Sequence, residues 1–108
     1  MTPGEFRELA LELPEAVEGH HMDHPDFRVG GKIFATLWPG EGRGVVSLTT
    51  DDQRLFTASH PDTFVPVPGG WGRKGATSVI LDHADEAAVR RALFSAWKKR
   101  APNSIKNR

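Results

Sequence analysis

Between positions 20 and 26 the chain places His20, His21 and His24 beside Asp23 and Asp26. Imidazole and carboxylate groups bind zinc and related metals, and either can move a proton. The spacing completes no recognised ligand set. H-E-x-x-H is absent, and in an extended strand the adjacent His20 and His21 point to opposite faces. Surface exposure and loop capping account for the cluster as well as chemistry does, so metal ligation by these five residues is the weaker alternative. No metal or other cofactor is expected. His60 and Asp62 flank Pro61 and read as loop capping, and His83 stands near a helix start, where it can interact without a catalytic function. Serines 47, 59, 78, 95 and 104 lack a strained G-x-S-x-G setting. Cysteine is absent, which removes thiolate nucleophiles, Cys-based zinc sites and disulfides together. No catalytic residue is named, and a non-enzymatic role is expected.

A second group of residues suits binding. Arg28 and Lys32 flank one turn, Arg43 follows another, and the segment Gly69-Gly70-Trp71-Gly72-Arg73-Lys74-Gly75 sets an indole between glycines and two cations. This is not a Walker loop, and a shaped surface turn that packs Trp71 is its ordinary reading. If the turns share one side, the cations can meet phosphates while Trp71 or Trp38 meets a sugar or base. Arg91 and Lys98, seven apart on the last helical stretch, extend such a surface.

Thr2-Pro3-Gly4-Glu5 carries the T-x-x-E capping pattern with proline at the first helical position. Phe6, Leu9, Ala10 and Leu13 then recur at helical spacing until Pro14. Residues 15–22 read as an edge strand. Phe27-Arg28-Val29 and Lys32 to Trp38 form a hairpin around Gly30-Gly31. Strict alternation points Ile33, Ala35 and Leu37 one way and Phe34, Thr36 and Trp38 the other. Val45 to Thr49 is a further strand, and Thr50, as a cap-like residue ahead of Asp51 and Asp52, opens a short helix carrying Leu55, Phe56 and Ser59 that ends before Pro61. Residues 64–75, with two prolines and four glycines, read as a long loop. Ala76 to Leu81 is a strand. The last helix begins near Asp82 or His83, bears the stripe Val89, Ala92, Leu93, Ala96, Trp97, and ends in Lys98-Lys99-Arg100, which complement its dipole. The fold class is α+β: a two-layer sandwich of a mainly antiparallel sheet, with the N- and C-terminal helices on one face.

The chain has 108 residues, enough for one domain over 1–102, with 103–108 as a flexible basic tail. Its 14 basic and 14 acidic side chains cancel, which argues against a strong general field for DNA or membranes. The cancellation is uneven. Residues 1–26 hold seven acidic and one basic side chain, whereas 81–108 hold seven basic and three acidic. The opening residues lack a signal-peptide pattern, and the apolar runs are too short to span a bilayer, so a cytoplasmic protein without membrane contact is expected.

The block His24-Pro25-Asp26-Phe27-Arg28-Val29-Gly30-Gly31-Lys32-Ile33-Phe34-Ala35, the Trp71-Gly72 loop, and the strand and helix from Val79 to Trp97 resemble the YjbR/MmcQ family over nearly the whole chain. That resemblance implies a bacterial protein with a frataxin-like or secretion-chaperone-like two-layer fold, described as a double-wing DNA-binding architecture, and no established catalytic reaction. It suggests low-affinity DNA binding. From their chemistry, the contact candidates in the two wing-like segments and beyond are Arg28, Lys32, Arg43, Trp71, Arg73, Lys74, Arg91 and Lys98. A protein partner on the open sheet face, or an unrecognised small-molecule or enzymatic role, is the alternative.

Overall fold

Helix α1 (Pro3–Leu11) begins as its sequence requires: the Glu5 amide donates to the Thr2 hydroxyl, and the Thr2 amide donates back to the Glu5 carboxylate at 2.8 Å. This reciprocal pair satisfies two otherwise orphaned donors and holds the Glu5 carboxyl below its ordinary pKa. Phe6, Leu9 and Ala10 are buried. The computed structural model describes residues 1–107, with His21 described through its backbone alone.

Six strands follow: β1 (Val17–His21), β2 (His24–Val29), β3 (Lys32–Trp38), β4 (Arg43–Ser47), β5 (Phe64–Pro66) and β6 (Ala76–Ile80). They form one sheet in the order β1-β2-β3-β4-β6-β5, every neighbouring pair antiparallel. Gly30 and Gly31, at φ +58° and +79°, make the two-residue turn between β2 and β3, the conformation that a right-twisted hairpin favours. The turn between β1 and β2 has the same handedness but is built from Met22 and Asp23, at φ +51° and +68°.

Alternation along β3 breaks once. Phe27 pairs with Ala35 and Arg28 with Ile33, so Phe34 is an extra residue in β3. This bulge sends Phe34 and Ala35 both into the core, where they are buried, and leaves Ile33 half-buried on the other face. The strict alternation read from sequence is therefore corrected at Ile33 and Phe34 and holds for Ala35, Thr36, Leu37 and Trp38.

Helices α1 and α4 (Glu86–Arg100) pack against β3 and β4 and against each other, on one face of the sheet. Their buried stripes, Phe6 and Leu9 with Val89, Leu93 and Trp97, close over Phe27, Val29, Leu37, Val46 and Val79. Gly44 of β4 is the close-contact point, since a Cβ there would stand 2.5 Å from the Phe6 ring. The Trp97 indole donates to the Pro14 carbonyl at 2.9 Å and secures the chain just after α1. Helix α2 (Thr50–Ser59), capped by Thr49, packs on β5 and α4. It rests on Phe56 and the buried Gln53, whereas Leu55 is largely exposed.

Three further expectations change. Leu81–His83 is a turn of 3-10 helix, and α4 starts later because the Asp85 carboxylate caps it by accepting from the Ala88 amide. Residues 64–75 are not one loop, since they contain edge strand β5 and the single-turn helix α3 (Gly70–Arg73). The segment read as a tail contains another turn, α5 (Asn103–Lys106), with Ile105 packed against the core. No helix among the described residues is long and apolar enough to cross a membrane.

Candidate functional site

The outward-facing residues of the central strands form the floor of a cleft on the sheet face opposite α1. Ile33, Thr36, Val45 and Ala76 line it, and its volume is about 470 Å³. That lies within the range of small-ligand sites, about 300–1,000 Å³. Trp71 and Lys74 of the α3 turn and Lys99 and Arg100 of the end of α4 complete the lining, with Phe34, Ala35 and Ser47. No carboxylate is among the lining residues.

Helix α3 presents Trp71 because its backbone is docked tightly beneath. A Cβ on Gly72 would fall 1.7 Å from the Val67 carbonyl oxygen, so only glycine permits this approach. The buried Gln53 side chain donates to the carbonyls of Gly72 at 2.9 Å and Ala76 at 3.2 Å. With the turn fixed, the indole of Trp71 is left 77% exposed rather than packed. Exposing so large an apolar surface is costly, which distinguishes this tryptophan from the buried Trp97.

The end of α4 is cationic. Arg100 donates from Nη2 to the Ser47 hydroxyl at 2.9 Å, and Lys99 Nζ donates to the Leu48 carbonyl at 2.8 Å and lies 3.5 Å from the same hydroxyl. Partial burial, and after it the neighbouring Arg100 charge, lowers the Lys99 pKa from its ordinary value. Arg100 Nε is buried and, among the described residues, has no hydrogen-bond partner. The ion pairs among the described residues leave out Lys74, Lys99 and Arg100.

Of the residues singled out from sequence, Trp71 and Lys74 come together here, with Arg73 exposed on the same turn. The others lie elsewhere or are already engaged. Arg28 grips both oxygens of the fully buried Asp26 at 2.8 and 2.9 Å, and that hydrogen bonding, with Asp26's charge, raises its pKa further. Arg43 pairs with Glu41 at 3.0 Å and lies over the Trp38 ring at 4.7 Å. His24 stacks on that ring with centroids 3.5 Å apart, so Trp38 is occupied by neighbours. Lys32 is exposed beside the Gly30-Gly31 turn. Arg91 borders a groove with Leu9, Leu13 and Phe94, and Lys98 a separate depression with Lys99 and Lys106. Lys99 and Arg100 were legible only as helix-end charges; nothing local in the sequence places them beside Ser47.

The histidine and aspartate cluster disperses. Asp26 belongs to Arg28, His24 to Trp38, and His20 and Asp23 are exposed. The His21 side chain lies outside the described residues. Among the described residues, no three His, Asp or Glu side chains gather to hold a metal.

The YjbR family model matches residues 11–99. The chain belongs to the YjbR family. Its fold is shared with the Deinococcus radiodurans protein DR2400, whose crystal structure is assigned to the family-model domain DUF419. The two agree with a TM-score of 0.77 at 18% identity, over 98% of this chain and 86% of the other. At that identity the likeness describes the YjbR architecture, not a shared ligand. No curated protein matches this YjbR chain.

Proposed function

We propose that this protein binds DNA weakly through the outer-face cleft, with its cations meeting phosphates and Trp71 stacking on an unpaired base. The observation that carries the reading is an exposed indole beside Lys74, Lys99 and Arg100 in a cleft that no carboxylate lines. Stacking on an aromatic platform and neutralising a backbone are the two contributions single-strand binding needs. Arg28 and Arg43 are left out of the contact set because Asp26 and Glu41 already neutralise them. Arg73 and Lys32 add exposed positive charge nearby in sequence to the turn and the first hairpin. The short cleft and the neutral total charge fit low affinity.

Titration of labelled single-stranded and duplex DNA at several salt concentrations tests this. Binding should weaken as salt rises, with a slope of about 0.7 per phosphate contact for single strands. Trp71→Ala should cost about 1–3 kcal/mol on single strands and much less on duplex. Lys74→Gln should reduce affinity and slope together. Arg54→Gln, at an exposed residue of α2 paired with Asp51, serves as the control. No binding to either DNA at low salt overturns the proposal, and equal losses from the Arg54 and Lys74 variants overturn this choice of site.

A further inference from the structure

We infer that Ser47, Lys99 and Arg100 form a seat for a terminal phosphate, a phosphomonoester dianion, at one end of the cleft. The inference deepens the DNA reading above and rests on the same cleft facing the nucleic acid.

Two cations converge on one hydroxyl. Arg100 Nη2 and Lys99 Nζ lie 2.9 and 3.5 Å from Ser47 Oγ, and no ion pair among the described residues neutralises either cation. Like charges brought together at partial burial are unfavourable, and an anion between them removes the conflict. Donors remain for such an anion. Ser47 accepts from Arg100 and retains its own hydroxyl proton to donate. Lys99 directs one proton to the Leu48 carbonyl and another, over a long 3.5 Å, to Ser47, which leaves its third, and Arg100 Nε is buried without a partner among the described residues. The lowered Lys99 pKa, caused first by burial and then by Arg100, is the electrostatic sign of the same strain.

The charge count selects the kind of phosphate. A backbone diester carries one negative charge, whereas a phosphomonoester carries about −1.5 to −2 near pH 7. Two adjacent unneutralised cations complement the latter. The shared chemistry has two sources, the phosphorylated end of a strand and a free mononucleotide. Both would extend from the seat over the apolar floor toward Trp71, which lines the same cleft.

The test compares single-stranded oligonucleotides of one sequence bearing a 5′-phosphate, a 3′-phosphate or hydroxyls at both ends, and, separately, dTMP, thymidine and inorganic phosphate. Readouts are affinity and the NMR signals of the Lys99 and Arg100 side chains at constant ionic strength. A terminal phosphate should tighten strand binding about tenfold, the worth of one charge-assisted hydrogen bond. Ser47→Ala should reduce that gain while leaving the hydroxyl-ended strand nearly unaffected, and Arg100→Gln should weaken every strand and lower the phosphorylated strand the most. dTMP should shift both side-chain signals, and thymidine should not. If dTMP shifts them but strand ends make no difference, the seat stands with the free nucleotide as its source. Phosphorylated and hydroxyl-ended strands of equal affinity, together with Lys99 and Arg100 signals unmoved by dTMP and inorganic phosphate, overturn the seat while leaving DNA binding intact. Failure of every strand to bind, with dTMP still shifting the signals, removes the DNA reading and keeps the seat.

Discussion

Burial changes the chemistry of Lys99, and its titration carries a definite sign. Its folded pKa lies below the ordinary lysine value because burial, and then Arg100, disfavour the charged form. Across the window from that depressed pKa up to the unfolded value of about 10.4, the unfolded chain holds more protons, so this group makes stability rise with pH. The Lys99 Cε resonance should titrate at lower pH than free lysine, and Lys99→Gln should flatten the alkaline rise in unfolding free energy. A Lys99 midpoint at the ordinary value would contradict the burial described here. Arg28 acts in the opposite manner, by satisfying a carboxylate that is fully buried. Arg28→Ala should lower the urea denaturation midpoint, because it leaves the buried Asp26 carboxylate without its partner.

At the scale of elements, the β1–β2 turn is under strain that its residues relieve only in part. Asp23 belongs to a type that tolerates positive φ, whereas Met22 costs about 1–2 kcal/mol relative to a residue suited to that region. Replacing the pair by Asn-Gly should raise stability by about 1 kcal/mol, visible as a higher denaturation midpoint with an unchanged slope. The converse holds beneath α3. Gly72→Ala should destabilise by several kcal/mol or displace α3, because the new methyl meets backbone at 1.7 Å. Loss of the exposed Trp71 fluorescence signature in that variant would report the displacement. Local sequence made some elements readable and hid others. The capping box, the double-glycine turn and the helix stripes depend on neighbours a few residues apart, so they were legible. The bulge at Phe34 was not, since a one-residue slip is decided by core packing across three strands. Helix α4 was read too early because Asp82 and Asp85 are equivalent cap residues in isolation; the choice falls to Asp85 through its bond to the Ala88 amide.

For the whole molecule, the charge asymmetry of the sequence is resolved at one end only. The acidic N-terminal quarter finds partners in Arg90, which meets Glu12 across the α1–α4 contact, and in Arg7, which meets Glu18. The cations at the end of α4 find none among the described residues, and two of them, Lys99 and Arg100, border the cleft. Sequence order alone predicted both charge blocks, but which part would cancel depends on the helices lying side by side. Because both terminal helices close one core, unfolding should be a single cooperative transition, with far-UV circular dichroism and Trp97 emission changing together. Separate midpoints for the two probes would contradict a single core. Iodide should quench the native emission of Trp71 but not of Trp97, which is 5% exposed.

The extra residue in β3 also sets a rule for comparing related chains. Between Gly31 and Leu37 the strand counts one residue more than its partner, and that surplus turns Ile33 outward to floor the cleft while both Phe34 and Ala35 point inward. A relative with one residue deleted in this interval would regain plain alternation and lose one of the two adjacent inward side chains, while the positions paired with Arg28 and Phe27 keep their faces. Length in this short interval therefore reports on the core beneath the cleft more than on its floor. An alignment that places a gap at the bulge still matches outward side chains with outward ones.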